Sequence, residues 1–168
     1  VVRHIPLNER EVLTIHNLIL RGIMPENAGV YRKVQVMIKG SAHMPPQPFL
    51  VSKEMEDFFI WYETHKNNLH PIILAAELHE RLVTIHPFID GNGRTSRLVM
   101  NLILLQNGYV IANIKGDYDS RIQYYNALEN YRKVLAGKSS NATVTLDACS
   151  SAIQHISLIA ACPKTAEI

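Results

Sequence analysis

The sequence predicts an all-α domain, a helical bundle around two buried central helices with one short β-hairpin flap on its surface. Three observations carry this expectation. Apolar residues recur at helical spacing through most of the chain. Two segments, one from Pro71 to about Ile85 and one just after Gly93, are apolar nearly all round, as helices at the centre of a bundle are. Residues 34–38 switch to period two.

Taken in order, Asn8 with Glu9-Arg10-Glu11 reads as a helix N-cap followed by acidic residues in the first turn. Val12, Ile15 and Ile19, with Leu13 and Leu20, give that helix one broad apolar face up to Gly22. A loop bearing Pro, Gly and Asn runs from Gly22 to Gly29. Val34, Val36 and Ile38 then fall on one side of a strand, with Gln35 and Met37 on the other. Gly40-Ser41 can turn the chain, and Pro45, Pro46 and Pro48 forbid a long central strand, so the hairpin should be short and exposed. Ser52 is expected to cap a helix through Trp61, and Pro71, suited to a first helical turn, to open the next. The helix that follows Gly91-Asn92-Gly93 should end at Asn107-Gly108, a left-handed stop. A helix over about Tyr118 to Leu135, a loop over Gly137 to Thr143 and a last helix over residues 144–162 complete the chain. The expected organisation is one core over 1–136 with the flap at about 31–48, and a loop and C-terminal helix at 137–168 packed on it.

The composition, 47% hydrophobic and 19% charged over 168 residues, is that of a globular domain long enough to close a core. A net charge of +2 without a Lys/Arg-rich block makes no case for nucleic acid. No apolar run approaches the ~18 residues that span a bilayer, so no membrane partner is expected. Val1 to Arg10 do not read as a signal peptide, and Cys149 and Cys162 are too few for a disulfide framework. A cytoplasmic location is the expectation.

The chemistry concentrates in His86-Pro-Phe-Ile-Asp-Gly-Asn-Gly-Arg-Thr-Ser-Arg97. Gly91 and Gly93, around Asn92, let the backbone turn with its N–H groups towards an anion, where a Cβ would hinder. The helix that begins there adds its positive dipole end. Arg94 and Arg97, three apart, project from one helical face and can grip neighbouring phosphates. Asp90 supplies one hard oxygen for Mg²⁺. His86, with an ordinary pKa near ~6.5, can take a proton from an attacking hydroxyl. His79 lies on the same helical face as His86 and reads as a packed core histidine. His79-Glu80 does not extend to a zinc motif, because the fifth position is Val83.

This run resembles the signature of the Fic family, His-Pro-Phe-x-Asp/Glu-Gly-Asn-Gly-Arg-x-x-Arg, at every defined position. The resemblance continues through Ala28-Gly29-Val30-Tyr31-Arg32, His43, Pro45-Pro46 and Leu69-His70-Pro71. It implies a protein adenylyltransferase that transfers AMP from ATP, with Mg²⁺, to a Tyr, Ser or Thr hydroxyl of a target protein. Attack would fall on the α-phosphate, with His86 as general base and pyrophosphate leaving. A Fic-fold transferase using UTP, phosphocholine or phosphate transfer is the alternative, and a non-catalytic peptide-binding module is the third reading. The intact Gly-Asn-Gly-Arg-x-x-Arg favours a full triphosphate, and neither His86 nor Asp90 is lost.

The resemblance also implies that the hairpin is a flap which covers the nucleotide and pairs with an extended segment of the target. Ile38 matches a flap position that touches the nucleotide, and Tyr124-Tyr125 a pair beside the base and ribose. Adjacent helical side chains point about 100° apart, which favours Tyr124. Eight residues later some relatives carry Asn near the ribose, where this chain has Arg132. Many relatives are held inactive by a Ser/Thr-x-x-x-Glu-Gly/Asn helix whose Glu pairs with the second motif arginine, here Arg97. No glutamate of this chain fits that pattern, so an inhibitory helix is expected ahead of the segment matching Val1 to Leu20, or from an antitoxin-like partner in trans.

Overall fold

The structure is a computed structural model that describes residues 6–113 and 117–137. It is all-helical: α1 (Glu9–Leu20), α2 (Val51–His65), α3 (Pro71–Ile85), α4 (Asn92–Gln106) and α5 (Tyr118–Gly137), with short 3₁₀ turns at Pro25–Asn27 and Pro48–Leu50. The expected loop and C-terminal helix at 137–168, with both cysteines, lie outside the described residues apart from Gly137.

Helix starts and stops follow local chemistry. Asn8 caps α1, its side-chain oxygen accepting the Glu11 N–H at 3.0 Å. Pro71 is the first residue of α3, where its missing N–H costs no hydrogen bond. Gly108, at φ 77°, turns the chain out of α4. The expected Ser52 cap is corrected: α2 begins at Val51, directly after the 3₁₀ turn, and no side chain caps it. Its run extends to His65 because Tyr62 continues the apolar face, with Val51, Met55 and Phe58, that packs into the core.

Helix α3 buries residues along almost its whole length, among them Leu74, Ala75, Leu78 and Leu82, and packs on Val99, Met100, Ile103 and Leu104 of α4. Small residues at Ala75 and Ala76 allow that approach. Phe88, fully buried between the two helices, is the wedge that fixes the connection. Its ring stacks on His16 of α1 at 3.6 Å. A smaller cluster of Val83, Tyr124 and Leu128 joins α5 to α3.

The expected β-hairpin is corrected too. Among the described residues there is no strand ladder. Val34 lies in a bend, residues 35–38 carry no regular structure, and Gly40, at φ 80°, turns the chain, with Ser41 N–H donating to the Ile38 carbonyl at 3.1 Å. The arms are joined through side chains instead: Gln35 Nε2 donates to the Pro45 carbonyl at 3.0 Å. Prolines at 45, 46 and 48 remove the N–H groups a ladder would need. Alternation survives in exposure: Val36 and Ile38 are half-buried while Gln35 and Met37 are exposed, although Val34 is exposed as well.

Candidate active site

His86 ends α3 in a left-handed conformation, φ 51°, the one non-glycine residue at positive φ among the described residues. Its backbone N–H donates to the Leu82 carbonyl at 3.1 Å and its Nδ1 lies 3.1 Å from the Val83 carbonyl. A carbonyl only accepts, so Nδ1 carries the proton and Nε2 keeps the lone pair. Burial pushes the His86 pKa down, and the cations Arg132 and Arg32 and the His43 ring push it further, while the Val83 carbonyl opposes. A neutral imidazole at neutral pH follows, able to take a proton at Nε2.

The turn after it is closed by Asn92. This side chain is buried and used at both ends, accepting the Phe88 N–H at 2.9 Å and donating to the Phe88 carbonyl at 2.8 Å. Its amide therefore shapes the turn, and the N–H groups of the first turn of α4 point out of its N-terminus. No side chain caps that end. The two glycines serve different needs. Gly91 is the N-cap at φ 80°, and a Cβ there would sit 3.3 Å from the His16 ring. Gly93 is already helical, and a Cβ there would meet only the Arg97 guanidinium, at 3.3 Å.

Asp90 and Arg94 are both exposed and pair at 3.0 Å. Such a pair is worth ~0.2–1 kcal/mol and exchanges partners readily. No group of three or more His, Cys, Asp or Glu able to hold a metal occurs among the described residues. A lone exposed carboxylate nonetheless suits Mg²⁺, which takes one or two carboxylates and completes its shell with water and phosphate oxygens. Arg97 is half-buried and hydrogen-bonds Tyr124. Tyr124 is buried, its hydroxyl 3.1 Å from His79 Nε2, so His79, Tyr124 and Arg97 form a chain from the core to the helix start. Tyr125 is half exposed and packs on Tyr124 at 5.4 Å between ring centres. Ile38 lies half-buried on the flap.

His16 has no role in the sequence reading, Arg32 enters it only as part of the resembling stretch, and Arg132 only as the residue standing where some relatives carry Asn. His16 is fully buried: Gly29 N–H donates to its Nδ1 at 2.9 Å, so Nε2 carries the proton and donates to the Asp90 carbonyl at 3.0 Å. A polar residue between Val12 and Leu20 on the buried face of α1 was the available signal. Arg32 is buried at the flap root and donates to the His86 carbonyl at 2.8 Å. Arg132 is buried between flap, α3 and α5, where it donates to Ser41, Thr84 and Glu129.

The sequence profile of the Fic/DOC family matches residues 6–104. A protein adenylyltransferase Fic of Drosophila grimshawi is 39% identical over 130 residues, 77% of this chain and 26% of that protein. The Drosophila melanogaster protein of the same name is 37% identical over 131 residues, again 77% of this chain and 26% of its own length. The chain thus spans about a quarter of the curated relatives it matches. A Fic domain containing signaling protein from Bacteroides thetaiotaomicron superposes with a TM-score of 0.77 at 27% identity, covering 92% of this chain and 59% of that one. A segment of Fic-1 from C. elegans gives 0.68 at 27% identity, covering 90% and 41%. By sequence profile, by relatives and by fold, the chain belongs to the Fic/DOC family.

Proposed function

We propose that this chain is a protein adenylyltransferase domain that moves AMP from ATP to a hydroxyl side chain of a target protein. The observation that carries the reading is His86, a neutral base with its lone pair on Nε2, followed after the short connection through Asp90 by the uncapped N-terminus of α4 with Arg94 and Arg97. The names of the relatives, adenylyltransferases at 37–39% identity, support the same chemistry.

His86 Nε2 takes the proton of the attacking hydroxyl, which forms the new bond to the α-phosphorus as the bond to pyrophosphate breaks. Backbone N–H groups at Gly91, Asn92 and Gly93 hold phosphate oxygens, aided by the helix dipole. Arg94 and Arg97 neutralise the β- and γ-phosphates, Arg97 being oriented by Tyr124. Asp90, now paired with Arg94, is the carboxylate that would hold Mg²⁺, which when bound would supply positive charge beside the phosphate oxygens. Ile38 closes over the nucleotide, with Tyr124 and Tyr125 flanking the base. Met37 on the flap and Phe49 in the 3₁₀ turn that follows it, each 80% exposed, offer apolar side chains to an extended target segment. In this reading an inhibitory helix, where one acts, reaches Arg97 from outside residues 6–137. No helix among the described residues is long and apolar enough to cross a membrane.

His86→Ala tests the assignment. Base assistance is typically worth ~10²–10⁴-fold, so single-turnover transfer should fall by that factor while ATP affinity stays near wild type. Wild-type transfer by the variant would make His86 structural and the mechanism wrong.

A further inference from the structure

We infer that Arg32 is a positioning residue which fixes the flap and the catalytic histidine to each other, so that docking a target on the flap aligns its hydroxyl with His86. This rests on the transferase reading above. Arg32 is 3% exposed, and none of the ion pairs among the described residues includes it. Its guanidinium instead meets three backbone carbonyls. Nε donates to His86 at 2.8 Å, Nη1 to Val34 at 3.1 Å and Nη2 to Pro46 at 2.6 Å. Its backbone N–H donates to the Pro87 carbonyl at 2.9 Å.

Those partners are not scattered. Val34 and Pro46 stand on the two arms of the flap, which no backbone ladder joins. His86 and Pro87 follow the last turn of α3, whose carbonyls lack intrahelical partners. The flap supplies a second donor to the same end: His43 Nε2 lies 2.9 Å from the Thr84 carbonyl. One buried, planar, five-donor group therefore sets the distance between the docking arm and a histidine in a left-handed conformation. A lysine keeps the charge but cannot reach three carbonyls in one plane, and an apolar side chain would fill the space without fixing it. The charge has its own consequence. His86 faces Arg32 and His43 from the flap and Arg132 from α5, and all three favour its neutral form.

Arg32→Lys and Arg32→Gln test this in the chain as given. Both should bind a non-hydrolysable ATP analogue with wild-type affinity by calorimetry, because the arginines of α4 are untouched. Both should transfer AMP to the chain itself ~10²-fold more slowly in a single turnover, the usual effect of a misplacement of about 1 Å. Imidazole NMR adds a readout independent of turnover. The His86 Nδ1–H signal should exchange faster in both variants, and the His86 titration midpoint should rise in Arg32→Gln but not in Arg32→Lys. Wild-type transfer and wild-type His86 signals in Arg32→Lys would overturn the inference. So would loss of nucleotide binding in parallel with transfer, since Arg32 would then merely hold the fold. Wild-type protein that transfers no AMP would refute the transferase reading instead, and the NMR comparison would still decide whether Arg32 holds His86.

Discussion

Gly91 and Gly93 look alike in the sequence and should respond oppositely to the same added methyl. At Gly91 the backbone is at φ 80°, and a Cβ would meet the His16 ring at 3.3 Å and Leu20 at 3.5 Å. A left-handed alanine costs ~1–2 kcal/mol. The ring cannot retreat, because it is stacked on Phe88 and hydrogen-bonded to Gly29 and Asp90. Over-packing of this kind adds ~1–3 kcal/mol. Gly91→Ala should therefore lose about 2–5 kcal/mol, a large part of the ~5–15 kcal/mol of a typical domain. Gly93 is helical, and its Cβ would meet only the far end of the Arg97 side chain at 3.3 Å. Alanine in a helix gains roughly 0.5–1 kcal/mol over glycine. Gly93→Ala should thus be as stable as wild type or slightly more so, yet bind ATP more weakly, since the methyl crowds Arg97 and the first-turn N–H groups. Urea unfolding and ATP calorimetry on both variants check this. Equal destabilisation, or unimpaired ATP binding by Gly93→Ala, would refute the division of labour between the two glycines.

Further outcomes follow from the same geometry. Asn92→Ala orphans the buried N–H and carbonyl of Phe88, at ~1–3 kcal/mol each, so urea unfolding should show a loss of about 2–6 kcal/mol. Asp90→Ala should change stability by less than ~1 kcal/mol because its pair with Arg94 is exposed, but should abolish the Mg²⁺ dependence of transfer, read by titrating the metal. Glu80 is buried, and burial pushes its carboxyl from 4.5 up to about 8, against Arg132 and with Glu77. The fold then keeps a proton that the unfolded chain releases, so this contribution is complete below pH 4.5 and is lost as pH rises to about 8. Urea midpoints across that range should fall less with pH in Glu80→Gln than in wild type, and identical slopes would contradict the assignment.

The sequence shows where chemistry gathers more readily than what holds it in place. The all-helical class, the Asn8 cap, the Pro71 start and the Gly108 stop follow from local patterns, because capping and turn chemistry act within a few residues. The motif from His86 to Arg97 is legible for the same reason. The flap was half legible: period-two spacing suggests a strand and the prolines limit its pairing, but the side-chain bonds that join the arms in place of a ladder come from residues ten or more apart. Nor did local pattern reveal that Asn92 spends its whole amide on Phe88, or that His16 bridges Gly29 and Asp90. Contacts such as His16 with Asp90, 74 residues apart, exist only after α1 packs on α4.

In the proposed reaction AMP, rather than phosphate, passes from ATP to a protein hydroxyl with His86 as the base. The most direct measurement incubates the wild-type chain and His86→Ala with Mg²⁺ and ATP labelled either at the α- or at the γ-phosphate, and reads intact protein mass and bound label. The wild-type chain should gain the mass of one AMP and retain label only from the α-position, and the variant should show neither. Label retained from the γ-position, or equal modification of His86→Ala, would contradict it.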